Sequence, residues 1–200
     1  MAELIMIRHA EVEARWKSIC YGASDVPLSE AGLLQSQRLA DRWKHRPQPI
    51  CVYHSGVRRT ELLARMIAGH FPSLNLVADA RLCERDYGDW QGKGWDEVYA
   101  ADPDFHRLIH QPDSYRPPRG ESTSVMQSRI AAWFASVIKS TPEGTVVAIS
   151  HSGPMAALAG HCLNLHASQW EPWMMKPLEA IRLRWDRCDG KVHVSRDGRR

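Results

Sequence analysis

The sequence predicts an α/β fold built on a mostly parallel sheet, and three stretches predict it. Leu4-Ile5-Met6-Ile7, Ile50-Cys51-Val52-Tyr53 and Thr145-Val146-Val147-Ala148-Ile149 are short apolar runs, each followed by histidine-bearing polar residues. Runs of this length without alternation read as strands buried on both faces, as in sheets that helices cover on each side. Segments of helical periodicity lie between them, the alternation that parallel α/β folds require. Ligands of such sheets bind just beyond the carboxyl ends of the strands. Arg8-His9, His54-Ser55 and Ser150-His151 stand at those ends.

Each element follows in order. The segment from His9 to about Pro27 is polar, with turn chemistry at Tyr21-Gly22-Ala23-Ser24-Asp25. Ser29 is an N-cap for a helix to about Lys44, with Leu33, Ser36, Ala40 and Trp43 on its inner stripe; Pro47 and Pro49 stop it. After the second strand, Leu62, Leu63, Met66, Ile67 and His70 recur at helical spacing, with His70 closing that face as a structural residue. A short strand near Leu74–Val77 leads into an ordered loop over residues 81 to 92, marked by Gly88 and Gly92. Residues 102 to 121 carry Pro103, Pro112, Pro117 and Pro118 and read as an irregular excursion. Ser122 or Thr123 then caps a helix with Met126, Ile130, Trp133, Phe134 and Val137 inward. The third apolar run turns through Ser152-Gly153 into a helix over residues 154 to 163, with Pro154 in its first turn. Ile181, Leu183 and Trp185 alternate with Arg182 and Arg184 as a half-exposed strand, and Lys191 to Ser195 adds an edge strand after an Asp189-Gly190 turn.

Two hundred residues, 44% of them hydrophobic and 24% charged, suit one globular domain spanning residues 1–200. A net charge of +3 gives no case for nucleic acid, and the basic tail from Arg196 reads as a solvated end. Five cysteines without a Cys-x-x-Cys pair point to reduced thiols and a cytoplasmic protein. No apolar run is long enough to cross a bilayer, and the amino terminus does not read as a signal peptide.

The three strand ends supply three histidines, His9, His54 and His151, an arginine at Arg8 and, a turn after the second, Arg58-Arg59. A phosphoryl group in transfer needs a nucleophile, dispersed positive charge on its oxygens and a proton for the leaving oxygen. Two histidines, two arginines and a carboxylate provide these without a metal. Arg58 reads as a solvated helix residue, His54 as a supporting or surface residue, and His161 and His166 as packing or solvent-facing.

Five stretches resemble the histidine phosphatase superfamily, in its phosphoglycerate-mutase-like branch, and in that family's order. They are Arg8-His9-Ala10-Glu11, Tyr21-Gly22 through Gly32, Ser55-Gly56-Val57-Arg58-Arg59-Thr60, Leu82-Cys83-Glu84 with Tyr87-Gly88-Asp89-Trp90, and Ile149-Ser150-His151-Ser152-Gly153. The resemblance covers nearly the whole chain and implies a three-layer α/β/α sandwich. It implies His9 as a nucleophile that forms a phosphohistidine, and Glu84 as the acid that protonates the leaving alkoxide and then activates water. Arg8, Arg59 and His151 would bind the phosphoryl oxygens. Tyr21, Gly22 and Ser152 would lie near the substrate. No cofactor or metal is implied, and the expected partner is a small phosphorylated metabolite rather than nucleic acid or membrane.

Two positions depart from the family pattern. Ala10 stands where the family has glycine, and Val12 where it has a hydroxyl able to donate to phosphate, a bond typically worth about 0.5–1.5 kcal/mol. The resemblance implies a metal-independent phosphomonoesterase. The compact chain and the Gly120-Glu121-Ser122 lead-in to a long helix look most like the alpha-ribazole phosphatase branch. The alternatives are a phosphoglycerate mutase, whose longer insertion this chain lacks room for, and a degenerate member that binds phospho-ligands without turnover. Discrimination among substrates is expected from residues 102 to 121, acting as a partial lid through Tyr115, Arg116 and Arg119, together with Arg85 and Tyr87.

Overall fold

The computed structural model describes residues 1–186 and 190–197. Its strands are β1 (Ala2–Arg8), β2 (Cys51–His54), β3 (Asn75–Ala78), β4 (Gly144–Ser150), β5 (Ala180–Trp185) and β6 (Val192–Asp197). They form one sheet in the order β3-β2-β4-β1-β5-β6. The first four of that order run parallel, and β5 is antiparallel to both β1 and β6.

The apolar runs are continuous because two cores draw on each central strand. Leu4 and Met6 of β1, with Val146 and Ala148 of β4, pack under α5 (Thr123–Ser140) and α6 (Ser152–Leu163). Ile5 and Ile7, with Val147 and Ile149, face the other way against α1 (Glu30–Asp41) and α2 (Arg58–Ala68). Each such side chain, once buried, stabilises the fold by roughly 1.5–3 kcal/mol, so neither face tolerates a polar residue. β5 has one covered face only: Arg182 and Arg184 turn away from the core and both reach Glu3. The result is a helix–sheet–helix sandwich.

Parallel register places the chemistry on one edge. Arg8 pairs with Ser150, and His54 with Ile149, so the residues that leave β1, β2 and β4 emerge side by side.

Four details differ from the sequence reading. The inner stripe of α1 is Gly32, Ser36 and Ala40, while Leu33 is 40% exposed. A Cβ at Gly32 would stand 2.3 Å from Glu11 O, so the helix approaches the β1 loop too closely for a large residue there. α2 ends at Ala68, so His70 lies beyond the helix, 3.7 Å from Asp41, and does not close its face. A helix not expected from the pattern, α3 (Trp95–Ala101), precedes the excursion. The excursion itself contains a 3-10 turn at Pro103–His106 and α4 (Arg107–His110), with Pro103 tolerated in the first turn, where no N–H is needed. Asp189 of the expected turn, and the tail beyond Asp197, lie outside the described residues. Among the described residues no helix is long and apolar enough to cross a membrane.

Candidate active site

β1 delivers Arg8 and His9 and β4 delivers His151; the two imidazoles meet edge to face with ring centroids 5.0 Å apart. His9 is 2% exposed and its Nδ1 lies 2.7 Å from the Ala10 carbonyl oxygen. A carbonyl only accepts, so Nδ1 carries the proton and Nε2 keeps its lone pair. Burial, then the charge of Arg59 and, more weakly, of Arg8, pushes the His9 imidazole down from 6.5 to about 3, against the bond to Ala10. His151 is fully buried and is held well below the ordinary histidine range by burial first, then by His9, Arg59 and Arg8.

A chain of hydroxyls orients His151. Thr60 Oγ1 donates to the Val57 carbonyl at 2.9 Å, which uses its only proton. Ser55 Oγ therefore donates to Thr60 Oγ1 at 2.8 Å and accepts from His151 Nε2 at 2.9 Å. The proton of His151 is thus on Nε2, and Nδ1 is bare and buried without a partner.

Arg59 sits in the first turn of α2, fully buried. One guanidinium nitrogen donates to Ser24 O and the other to Gly22 O at 2.7 Å, and the group lies over the Tyr21 ring at 5.3 Å. Its Nε has no partner. Arg8 donates through Nη1 to Met175 O at 2.7 Å, and its Nε is likewise buried and unpartnered. Arg8, His9 and Tyr21 line a cavity of about 220 Å³, with Lys17 paired to Glu11 at its mouth.

Glu84 arrives from the loop after β3. Its Oε1 accepts from the Arg85 amide at 2.9 Å and its Oε2 from the Gly153 amide at 3.3 Å, two residues beyond His151. A Cβ at position 153 would lie 2.3 Å from Oε1, so a side chain there would push the carboxylate out of this position. Arg129 of α5 clamps the loop from behind. It donates to Arg81 O at 2.7 Å and to Glu84 O at 3.1 Å while forming a two-pronged pair with Glu121. Ser150 Oγ adds a bond to Leu82 O at 2.7 Å.

The sequence and the fold recur in proteins of known family. A model of the histidine phosphatase superfamily (branch 1) matches residues 4–198. The chain belongs to the histidine phosphatase superfamily. It is 32% identical to phosphoserine phosphatase 1 of Hydrogenobacter thermophilus, across 85% of this chain and 80% of that protein. Glucosyl-3-phosphoglycerate phosphatase of Mycobacterium tuberculosis is 30% identical, with 97% of each chain covered. Among solved structures, YhfR of Bacillus stearothermophilus superposes with a TM-score of 0.87 at 26% identity, over 99% of this chain and 97% of that one. The chain is a phosphoric monoester hydrolase of this superfamily.

Within this histidine phosphatase, the expected residues divide into two groups. Arg8, His9, Tyr21, Arg59, Glu84 and His151 converge on the sheet edge. Gly22 and Ser152 stand one layer back: the Gly22 carbonyl holds Arg59, and Ser152 Oγ donates to Met175 O at 3.2 Å, the same oxygen that Arg8 uses. Arg58 pairs with Asp25 in solvent, and buried His54 accepts from the Gly56 amide at 3.2 Å. Val12 packs with Ala10, Val26 and Leu28, so apolar contacts hold the loop after β1.

The expected specificity residues divide. Arg85 and Tyr87 line the cavity beside Glu84 and Gly153, whereas Tyr115 donates to Asp102 and lies under Arg107, Arg119 pairs with Asp89, and Arg116 is exposed. The excursion reaches the site instead through Phe105 to His110. Its proline spacing hid the helical turns that aim those side chains. Arg129 and Thr60 were also missed, although Arg129 stands out as a charge beside inward-facing Ile130 in the middle of α5.

Proposed function

We propose that the chain hydrolyses a small phosphorylated metabolite through a phosphohistidine on His9. The observation that carries this reading is that Arg8 Nε, Arg59 Nε and His151 Nδ1 are all buried and unpartnered around one edge. Unmet buried polar groups cost about 1–3 kcal/mol each, a cost that a phosphoryl group's oxygens relieve. His9 Nε2 forms the bond to phosphorus as the ester oxygen leaves with a proton from Glu84. Glu84 then takes a proton from water, whose oxygen displaces the histidine and releases phosphate. His151 gains a proton as the dianion arrives, so that Nδ1 donates to it. The two guanidinium groups provide the fixed positive charge.

The compact chain and its Gly120-Glu121-Ser122 segment support alpha-ribazole 5'-phosphate as one candidate substrate. Phosphoserine and glucosyl-3-phosphoglycerate, on which the named relatives act, belong in the same panel. The test is quenching in alkali during turnover of radiolabelled ester, with and without a bisphosphoglycerate primer. The expected result is primer-independent phosphate release and an alkali-stable, acid-labile label on protein that His9→Ala abolishes. A His9→Ala protein that keeps both label and phosphate release would overturn the assignment.

A further inference from the structure

A second cavity, of about 540 Å³, opens beside Glu84 and Gly153. We propose that it is the leaving-group pocket and that it selects phosphomonoesters whose alcohol carries a bulky apolar body. This rests on the proposed function, because it takes Glu84 as the group that meets the ester oxygen. The atoms attached to that oxygen must then continue into the cavity that Glu84 lines, while the phosphoryl group stays with Arg8 and His9 in the smaller one.

The wall is apolar and wide. Phe105, Leu108, Ile109, Met126, Trp170 and Met174 form most of it, drawn from the excursion, α5 and the segment after α6. Besides Arg85, His110 and Glu171, its polar side chains are largely committed elsewhere. Thr123 Oγ1 donates to Leu108 O, Trp170 Nε1 donates to Leu165 O at 3.2 Å, and Ser168 Oγ bonds His166 Nδ1 at 2.9 Å. A hydroxyl-rich or zwitterionic alcohol entering here would find partners only at Arg85 and at exposed His110 and Glu171, and each polar group left unmatched costs about tenfold in affinity. Ile109 and Met174, 43% and 49% exposed, leave apolar surface at the mouth for a ligand to cover.

One cation breaks the pattern. Arg85 is 8% exposed, leans on the Tyr87 ring at 5.8 Å and keeps a buried, unpartnered Nη1. It suits a single acceptor, such as a ring nitrogen or carbonyl, on an otherwise apolar body. Pockets of a few hundred cubic ångströms with few convergent polar groups take ligands of that kind, and a serine side chain would fill only a corner.

The test separates binding from turnover. Alkylphosphonates have a carbon–phosphorus bond that the enzyme does not cleave, so calorimetry on methyl-, butyl- and hexylphosphonate reads the pocket alone. Affinity is expected to rise about threefold for each methylene that enters, and at least 30-fold from methyl to hexyl. Ile109→Gln/Met174→Gln, changed at two exposed positions, is expected to cut that gain below tenfold. A flat or falling series, phosphoserine competing better than hexylphosphonate, or an undiminished gain in the double variant would each overturn the pocket. Release of nitrophenol from p-nitrophenyl phosphate by the same preparation reports separately on the hydrolase reading. A rising series with no turnover removes that reading and keeps the pocket; turnover with a flat series does the reverse.

Discussion

At the residue scale, two imidazoles face each other and opposite arrangements of their protons distinguish their parts. His9 is protonated on Nδ1 by the demand of the Ala10 carbonyl, and His151 on Nε2 by the Thr60–Ser55 chain. Both therefore turn an unprotonated nitrogen away from the protein bonds that hold them. Thr60 touches no substrate; it acts on His151 through Ser55. Removing its hydroxyl frees Ser55 to donate to His151 and lets the imidazole take the other tautomer, at about 1 kcal/mol for one hydrogen bond. Thr60→Val is expected to lower kcat about fivefold with little change in KM, whereas Thr60→Ser keeps the wild-type value. Nitrogen-15 spectra of the imidazole should show loss of the Nε2–H form of His151 in the valine variant alone. Equal spectra in both variants would refute the relay.

At the element scale, the acid loop is short of secondary structure and is held by its neighbours. Arg129 satisfies two of its carbonyls, and Glu121 Oε1 accepts from the Asp86 amide at 3.0 Å as well as from Arg129. α5 is placed for this by its own N-cap, Ser122 Oγ accepting from the Val125 amide at 3.2 Å. Gly88, at φ +52°, lets the loop double back so closely that a Cβ would stand 2.1 Å from Pro118 O. Arg129→Leu leaves Glu121 without its ion partner and two carbonyls unmatched, at a cost of about 2–3 kcal/mol in stability. Because the disturbance reaches Glu84, alkyl esters with a basic leaving oxygen should lose at least tenfold in kcat, and p-nitrophenyl phosphate much less. Denaturant melts and the two rates measured side by side check both parts; equal losses for the two esters would disconnect Arg129 from the acid.

At the scale of the whole molecule, the buried neutral histidines link stability to pH. His9 and His151 have folded-state values below that of the unfolded chain, and His54 is lowered too, by burial first. As pH falls below about 6.5 the unfolded chain takes up protons that the folded one refuses, so stability is lost progressively toward pH 3, the value for His9. Above 6.5 the three are neutral in both states and contribute no slope. Each fully buried histidine adds up to about 1.4 kcal/mol of loss per pH unit inside the window. Urea titrations at pH 7.5, 6 and 5 should show this decline, and His9→Asn should make it shallower. A wild-type curve flat between pH 6.5 and 5 would contradict the buried neutral state. Positive charge in the cleft comes from arginines, so phosphate release is also expected to survive chelation by EDTA.

Strand identity and the residue types at strand ends were legible in the sequence because both are local. A run such as Thr145–Ile149 buried on two faces must be apolar throughout, and Ser29 and Ser122 announce their helices by cap chemistry alone. The pairing of His9 with His151 was legible only as a resemblance, since its geometry depends on β1 and β4 lying adjacent although their register partners Arg8 and Ser150 are 142 positions apart, far more chain than any local rule spans. The helical turns at Pro103–His110 stayed hidden because proline at a first turn looks like proline in a loop until packing is known. Tertiary structure alone decided which side chains line the cavity beside Glu84. Tyr115, Arg116 and Arg119 had the chemistry expected of such contacts, yet Asp102 and Asp89 engage two of them elsewhere, and Phe105, Leu108 and Trp170 form the wall. A side chain's composition states what it can bind, and only the fold determines which partner reaches it first.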